Sequence, residues 1–152
     1  MDPITIACSV LGLLASVKEI ADKVEEFLHA TGRVHEALVE LKEELDSLFG
    51  DIDNVNNICQ DPELNTAASA TPERSQSNIF SRLQTNVDSC TRTVGQLSSL
   101  ISEVDQGRGK GFINRAIVQH RLEERADDLS LFRKQIQTHR GSMHLSVSAL
   151  TL

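Results

Sequence analysis

The sequence predicts an all-α fold, an antiparallel helical bundle of four to five helices forming one domain over 1–152. Three observations predict it. Apolar residues recur at alternating intervals of four and three over long stretches, a spacing that keeps one stripe on one helix face. The composition is 39% hydrophobic, with no Trp or Tyr and only 3 Pro. Rich in Leu, Val, Ile and Ala, it suits helices better than a sheet. No alternating strand pattern of useful length appears.

The first element opens at Asp2-Pro3, with Asp2 as N-cap and Pro3 at the first helical position. Its apolar pattern continues through Ile20, Val24, Phe27 and Leu28 to a break at Thr31-Gly32. The second stripe runs Val34, Leu38, Leu41, Leu45, Leu48, Ile52, Val55, Cys59 and closes at Asp61-Pro62. Residues 61–78 are small, polar and twice interrupted by Pro, and read as a flexible loop. The third stripe is Leu83, Val87, Cys90, Val94, Leu97, Ile101, Val104. Gly107-Arg108-Gly109-Lys110-Gly111 makes the last break, and Phe112 begins a final helix or pair of helices. Their stripe, Leu122, Leu129, Phe132, Ile136, His139, Met143, Val147, Leu150, is less regular, and Gly141 is a candidate bend. Four stripes joined by short turns can satisfy one another as a bundle.

The net charge of −7 conceals an asymmetry. Residues 1–60 hold 12 acids and 4 bases, 61–105 hold 6 and 3, and 106–152 hold 4 and 8. An acidic chain without aromatic stacking platforms argues against nucleic-acid binding. The plainest role for the basic C-terminal third is to face the acidic helices of its own bundle. Cys8, Cys59 and Cys90 each fall on a helical apolar pattern and read as small buried hydrophobes, which predicts a reducing, intracellular compartment. No nucleophile elbow or Cys/His/Asp spacing suggests an enzyme, a metal site or a cofactor. The histidines read as surface or partly buried residues. The GRGKG stretch lacks the Walker spacing and a preceding strand, so it is no nucleotide loop. It sets Arg108 and Lys110 near a helix start, followed by Arg115 and Arg121, a set suited to anionic lipid headgroups. A solvated turn is the plainer reading.

The opening helix is the most informative segment. From Pro3 to Val17 it carries fifteen residues without a charge. On a helical wheel, one arc collects Ile6, Val10, Leu13, Leu14, Val17, Ile20, Ala21, Val24 and Leu28. The opposite arc begins with Thr5, Cys8, Ser9, Gly12, Ala15 and Ser16, and only later carries Lys18, Glu19, Asp22, Lys23 and Glu26. The N-terminal half is thus open to enclosure on every side, with Thr5, Ser9, Gly12 and Ser16 suited to close helix packing. Asp2 in place of a basic n-region argues against a secretory signal. From Ile4 to Val17 the helix covers ~21 Å, too short for ~30 Å of hydrocarbon. Two readings remain open, a permanent core helix and a helix buried at rest but releasable into a membrane.

The start, MDPITIACSVLGLLASV, resembles the opening of the fungal N-terminal domains of STAND (NOD-like receptor) proteins, which begin Met-Asp-Pro before a Gly/Ala/Ser/Leu-rich helix. The ending, LSLFRKQIQTHRGSMHLSVSALTL, is similar to that family's last helix, and the resemblance to a HeLo-like domain spans nearly the whole chain. It implies an all-α effector module of an immune or incompatibility receptor that self-associates and permeabilises membranes. It further implies a receptor module beyond Leu152 in the same chain, and a cytoplasmic protein that moves to the membrane on activation. By that analogy Ile4, Ile6, Val10, Leu11, Leu13, Leu14 and Val17 enter lipid. A homotypic adaptor domain without membrane activity is the alternative.

Overall fold

The computed structural model describes residues 3–31, 36–61, 73–105 and 112–151, with side chains over 5–29, 36–61, 80–105 and 117–149. They form five helices and no strand: α1 Pro3–Thr31, α2 Glu36–Gln60, α3 Glu73–Asp105, α4 Phe112–Glu124 and α5 Ala126–Thr151. The expected all-α bundle is the observed architecture.

The stripes read from the sequence supply most of the core, to which Phe80, Leu100 and Val118 add. On α2, Leu38, Leu41, Leu45, Leu48, Ile52, Val55 and Cys59 are all buried, and on α3 the seven residues from Leu83 to Val104 are too. On α4 and α5, Leu122, Leu129, Ile136 and Met143 are buried, with Phe132 and Val147 packed at the edge. Val34 and Leu150 lie outside the described side chains. Leu, Ile and Val at alternating spacing interdigitate between helices, and this burial is the main term holding the bundle together.

Four long helices form a ring in the order α1–α2–α5–α3, so α2 and α3 sit across the diagonal. Successive long helices run antiparallel. The diagonal crossing between α2 and α3 sets the remaining neighbours parallel. On the α1–α3 side, Ser9 lies by Gln84 and Lys23 by Asp105, both series ascending. On the α2–α5 side, Glu40 meets Arg133, Glu44 meets Arg140, and Asp51 meets His144. The α3–α5 pair is antiparallel, with Asn86 on Ser146, Thr93 on His139, and Glu103 on Arg125.

The short α4 closes one end against α1, α3 and α5. It is divided from α5 at Arg125, whose N–H donates to the carbonyls of Arg121 (3.1 Å) and Leu122 (3.2 Å). The stripe supplies no apolar residue between Leu122 and Leu129, and the chain bends there. Asp127 and Asp128 occupy the first turn of α5, where a carboxylate complements the helix dipole. Gly141, a candidate bend, lies within a continuous α5.

One boundary differs from expectation. Helix α3 starts at Glu73, so Glu73–Asn78 are helical where a loop was expected. Those six residues are polar and carry no periodic apolar position, so hydrophobic spacing gave no sign of them.

His139 sits in the α3–α5 seam with Nε2 2.8 Å from the Thr93 hydroxyl, and burial lowers its pKa from 6.5. The folded protein therefore favours the neutral ring. The stability this contributes is complete above pH 6.5 and is lost as pH falls through 6.5 toward the lower folded value. The unfolding free energy of the wild type is expected to fall over this window. Denaturant titrations across it are expected to show a shallower fall for His139→Gln.

Candidate functional site

Helix α1 is the candidate site, and its two faces differ sharply. The inner face buries Ile6, Val10, Leu13, Leu14, Val17, Ile20, Ala21, Val24 and Phe27. Between Ile6 and Val17 five aliphatic side chains are buried. At ~2 kcal/mol each they contribute on the order of 10 kcal/mol of burial. Loss of that contact to water alone is prohibitive.

The outer face is solvent-exposed, which corrects the expectation that the N-terminal half is enclosed on every side. Thr5, Cys8, Gly12, Ala15 and Ser16 are exposed, and Ser9 is half-buried. Nor do Thr5, Gly12 and Ser16, all exposed, pack closely against another helix, while half-buried Ser9 lies 3.5 Å from the Gln84 amide of α3. A Cβ added at Gly12 would meet nothing within 4 Å. The hydroxyls of Ser9 and Ser16 instead donate back to the carbonyls of Thr5 (3.2 Å) and Gly12 (3.1 Å). The aliphatic arc already fills the bundle side, and the small residues lie on the arc left over. Cys8 lies on that arc, so it is exposed, whereas Cys59 and Cys90 are buried as expected. Burial raises the Cys59 thiol and pushes Cys90 up to about 12.

Of the seven residues expected to enter lipid, Ile6, Val10, Leu13, Leu14 and Val17 are core, while Leu11 is 50% exposed. Ile4 belongs to α1, with its side chain outside the described residues. Among the described residues no helix is long and apolar enough to cross a membrane.

Polar ties to the rest of the bundle are uneven along α1. The Gln84 amide reaches the Ser9 hydroxyl at 3.5 Å, but its closer acceptor is Asp88 at 2.7 Å. Toward the other end Lys23 Nζ lies 3.0 Å from Asp105, and the hydrogen bond to that carboxylate raises the lysine pKa. The uncharged half is thus held almost wholly by apolar contact.

The basic set divides. Arg108 and Lys110 lie outside the described residues, and Arg115 is on α4 with its side chain undescribed. Arg121 is half-buried and donates to the carbonyls of Glu103 and Val104 at 3.4 Å each. It thereby caps the C-terminus of α3, a common use of a cation near a helix end.

The acidic and basic halves meet as the charge asymmetry suggested. Across the parallel α2–α5 seam, Arg140 bridges Glu44 (2.7 Å) and Asp51 (2.6 Å), His144 reaches Asp51 at 2.9 Å, and Arg133 pairs with Glu40. Gln137 donates to Glu44 at 3.2 Å. The members of this ladder were not singled out from the sequence. Their signal was the matched spacing of 40, 44 and 51 against 133, 137 and 144. Among the described residues no group of three His, Cys, Asp or Glu is placed to hold a metal ion. Compared with protein-family models, curated proteins and solved structures, the chain matches none.

Proposed function

We propose that the domain is a membrane-targeting effector of the cell-death-executor kind, a HeLo-like module of a fungal immune or incompatibility receptor. In this reading it has no enzymatic role. It rests in the cytoplasm with α1 docked, self-associates when activated, and presents α1 to anionic lipid. A receptor module in the same chain supplies the trigger. One observation carries the reading: from Thr5 to Val17 neither face of α1 bears a charge. That segment can transfer from bundle to bilayer without desolvating an ion, a cost of several kcal/mol for each charge spared. The aliphatic side chains that pack the bundle would then meet acyl chains, and the small outer arc would allow neighbouring α1 helices to approach closely. The length of the uncharged segment limits entry to shallow insertion or an oligomer.

Dye release from anionic vesicles tests this. Leu11 suits the test because half of it is already in solvent, so Leu11→Glu is expected to preserve the helical circular dichroism spectrum. Placing a carboxylate in the inserting segment is expected to reduce release at least roughly tenfold. Full release by Leu11→Glu, or none by the wild type under self-associating conditions, would leave the homotypic adaptor reading in its place.

A further inference from the structure

We propose that the outer face of the α3–α5 pair docks a second copy of this chain in a two-fold, antiparallel arrangement. The inference rests on the bundle alone and not on membrane activity. Two grooves open along this seam, one on either side of the Thr93–His139 bridge. The first, about 570 Å³, lies between Arg82 and Thr85 on α3 and Ser142 and Leu145 on α5. The second, about 300 Å³, lies between Gln96 and Glu103 on α3 and Asp128 and Leu131 on α5, with Arg125 at its edge.

A leucine stands beside each groove, Leu145 at 76% exposure and Leu131 at 55%, the two most exposed large hydrophobics among the described residues. They are fourteen positions apart, close to four turns, so they share one face of α5 about 21 Å from each other. The grooves also differ in charge. The first is lined by Arg82 and no carboxylate, and Arg82 has no ion pair among the described residues. The second holds Glu103 and Asp128 against one cation, Arg125, at 3.1 and 3.4 Å.

The face is therefore complementary to itself. Turned about a two-fold axis perpendicular to the helices, a second copy brings its Leu145 to the second groove and its Leu131 to the first. Each Arg82 then lies over the surplus carboxylate of the opposite groove. Every contact is made twice, as an isologous interface requires. Two helices wide and Ser81 to Glu103 long, the face buries about 1,300 Å² in total, the lower end of stable dimers. Charge matching adds orientation and specificity to the apolar contacts.

Sedimentation velocity on the 152-residue chain over a concentration series tests the assignment. A reversible dimer is expected. Leu145→Arg, Arg82→Glu and Glu103→Arg are each expected to weaken it by roughly tenfold or more, with circular dichroism unchanged because all three side chains are exposed. Arg82→Glu combined with Glu103→Arg exchanges the two charges and is expected to restore association to within about threefold of wild type. A monomer at every concentration overturns the proposal. So does a dimer indifferent to Leu145→Arg, a double variant that fails to recover, or association abolished by Leu11→Glu instead.

Discussion

Phe27→Ala is expected to lower the unfolding free energy by about 4 kcal/mol, within the range for deleting a buried aromatic ring. Phe27 is fully buried near the end of α1 that is tied to Asp105 through Lys23. Removal of the ring withdraws its apolar area from the core and leaves a cavity between helices that cannot collapse freely. The loss is a large share of the ~5–15 kcal/mol that keeps a domain of this size folded. Urea denaturation followed by circular dichroism reads it as a lower midpoint with an unchanged slope. Leu11→Ala, on the exposed side of the same helix, is expected to change stability by less than about 0.5 kcal/mol.

The second large effect is electrostatic. Arg140→Ala is expected to cost about 3 kcal/mol. Glu44 is only 8% exposed, and both it and Asp51 take charged hydrogen bonds from this one guanidinium. Without Arg140, Glu44 keeps only a neutral donor, the Gln137 amide, and its buried charge is left uncompensated. The double variant Glu44→Leu with Arg140→Leu is expected to recover at least half of the loss, since a pair removed together leaves one fewer stranded carboxylate. No recovery in the double-mutant cycle contradicts the assignment of the ladder as one coupled unit.

Much of the fold was legible because hydrophobic spacing is a local code. The α2 and α3 stripes named most of the core of their helices, though not Phe80 or Leu100, and Pro3, Thr31 and Phe112 fall at observed helix ends, with Asp61 directly after α2. What spacing does not encode is which helix lies beside which. The α2–α5 parallel seam depends on a diagonal crossing, and only polar and charged residues at matched intervals, 40, 44 and 51 against 133, 137 and 144, hint at it. Residues Glu73–Asn78 escaped because a polar helix has no period to detect. At the candidate site the wheel separated the faces of α1 correctly but did not say which was covered. Small neutral residues satisfy both a helix contact and water, so Gly12 and Ser16 were compatible with burial until the neighbouring helices were placed. Cys8 was assigned to the core by residue type, although its arc opposed the aliphatic one.

The most direct measurement of α1 entering lipid uses Cys8, the exposed thiol, while Cys59 and Cys90 lie buried. An environment-sensitive fluorophore attached there reports on the uncharged half of α1. On addition of anionic vesicles under self-associating conditions, its emission is expected to shift to the blue and to be quenched by acyl-chain quenchers. Vesicle binding with unchanged emission and no quenching, or no binding at all, contradicts a lipid-entering α1.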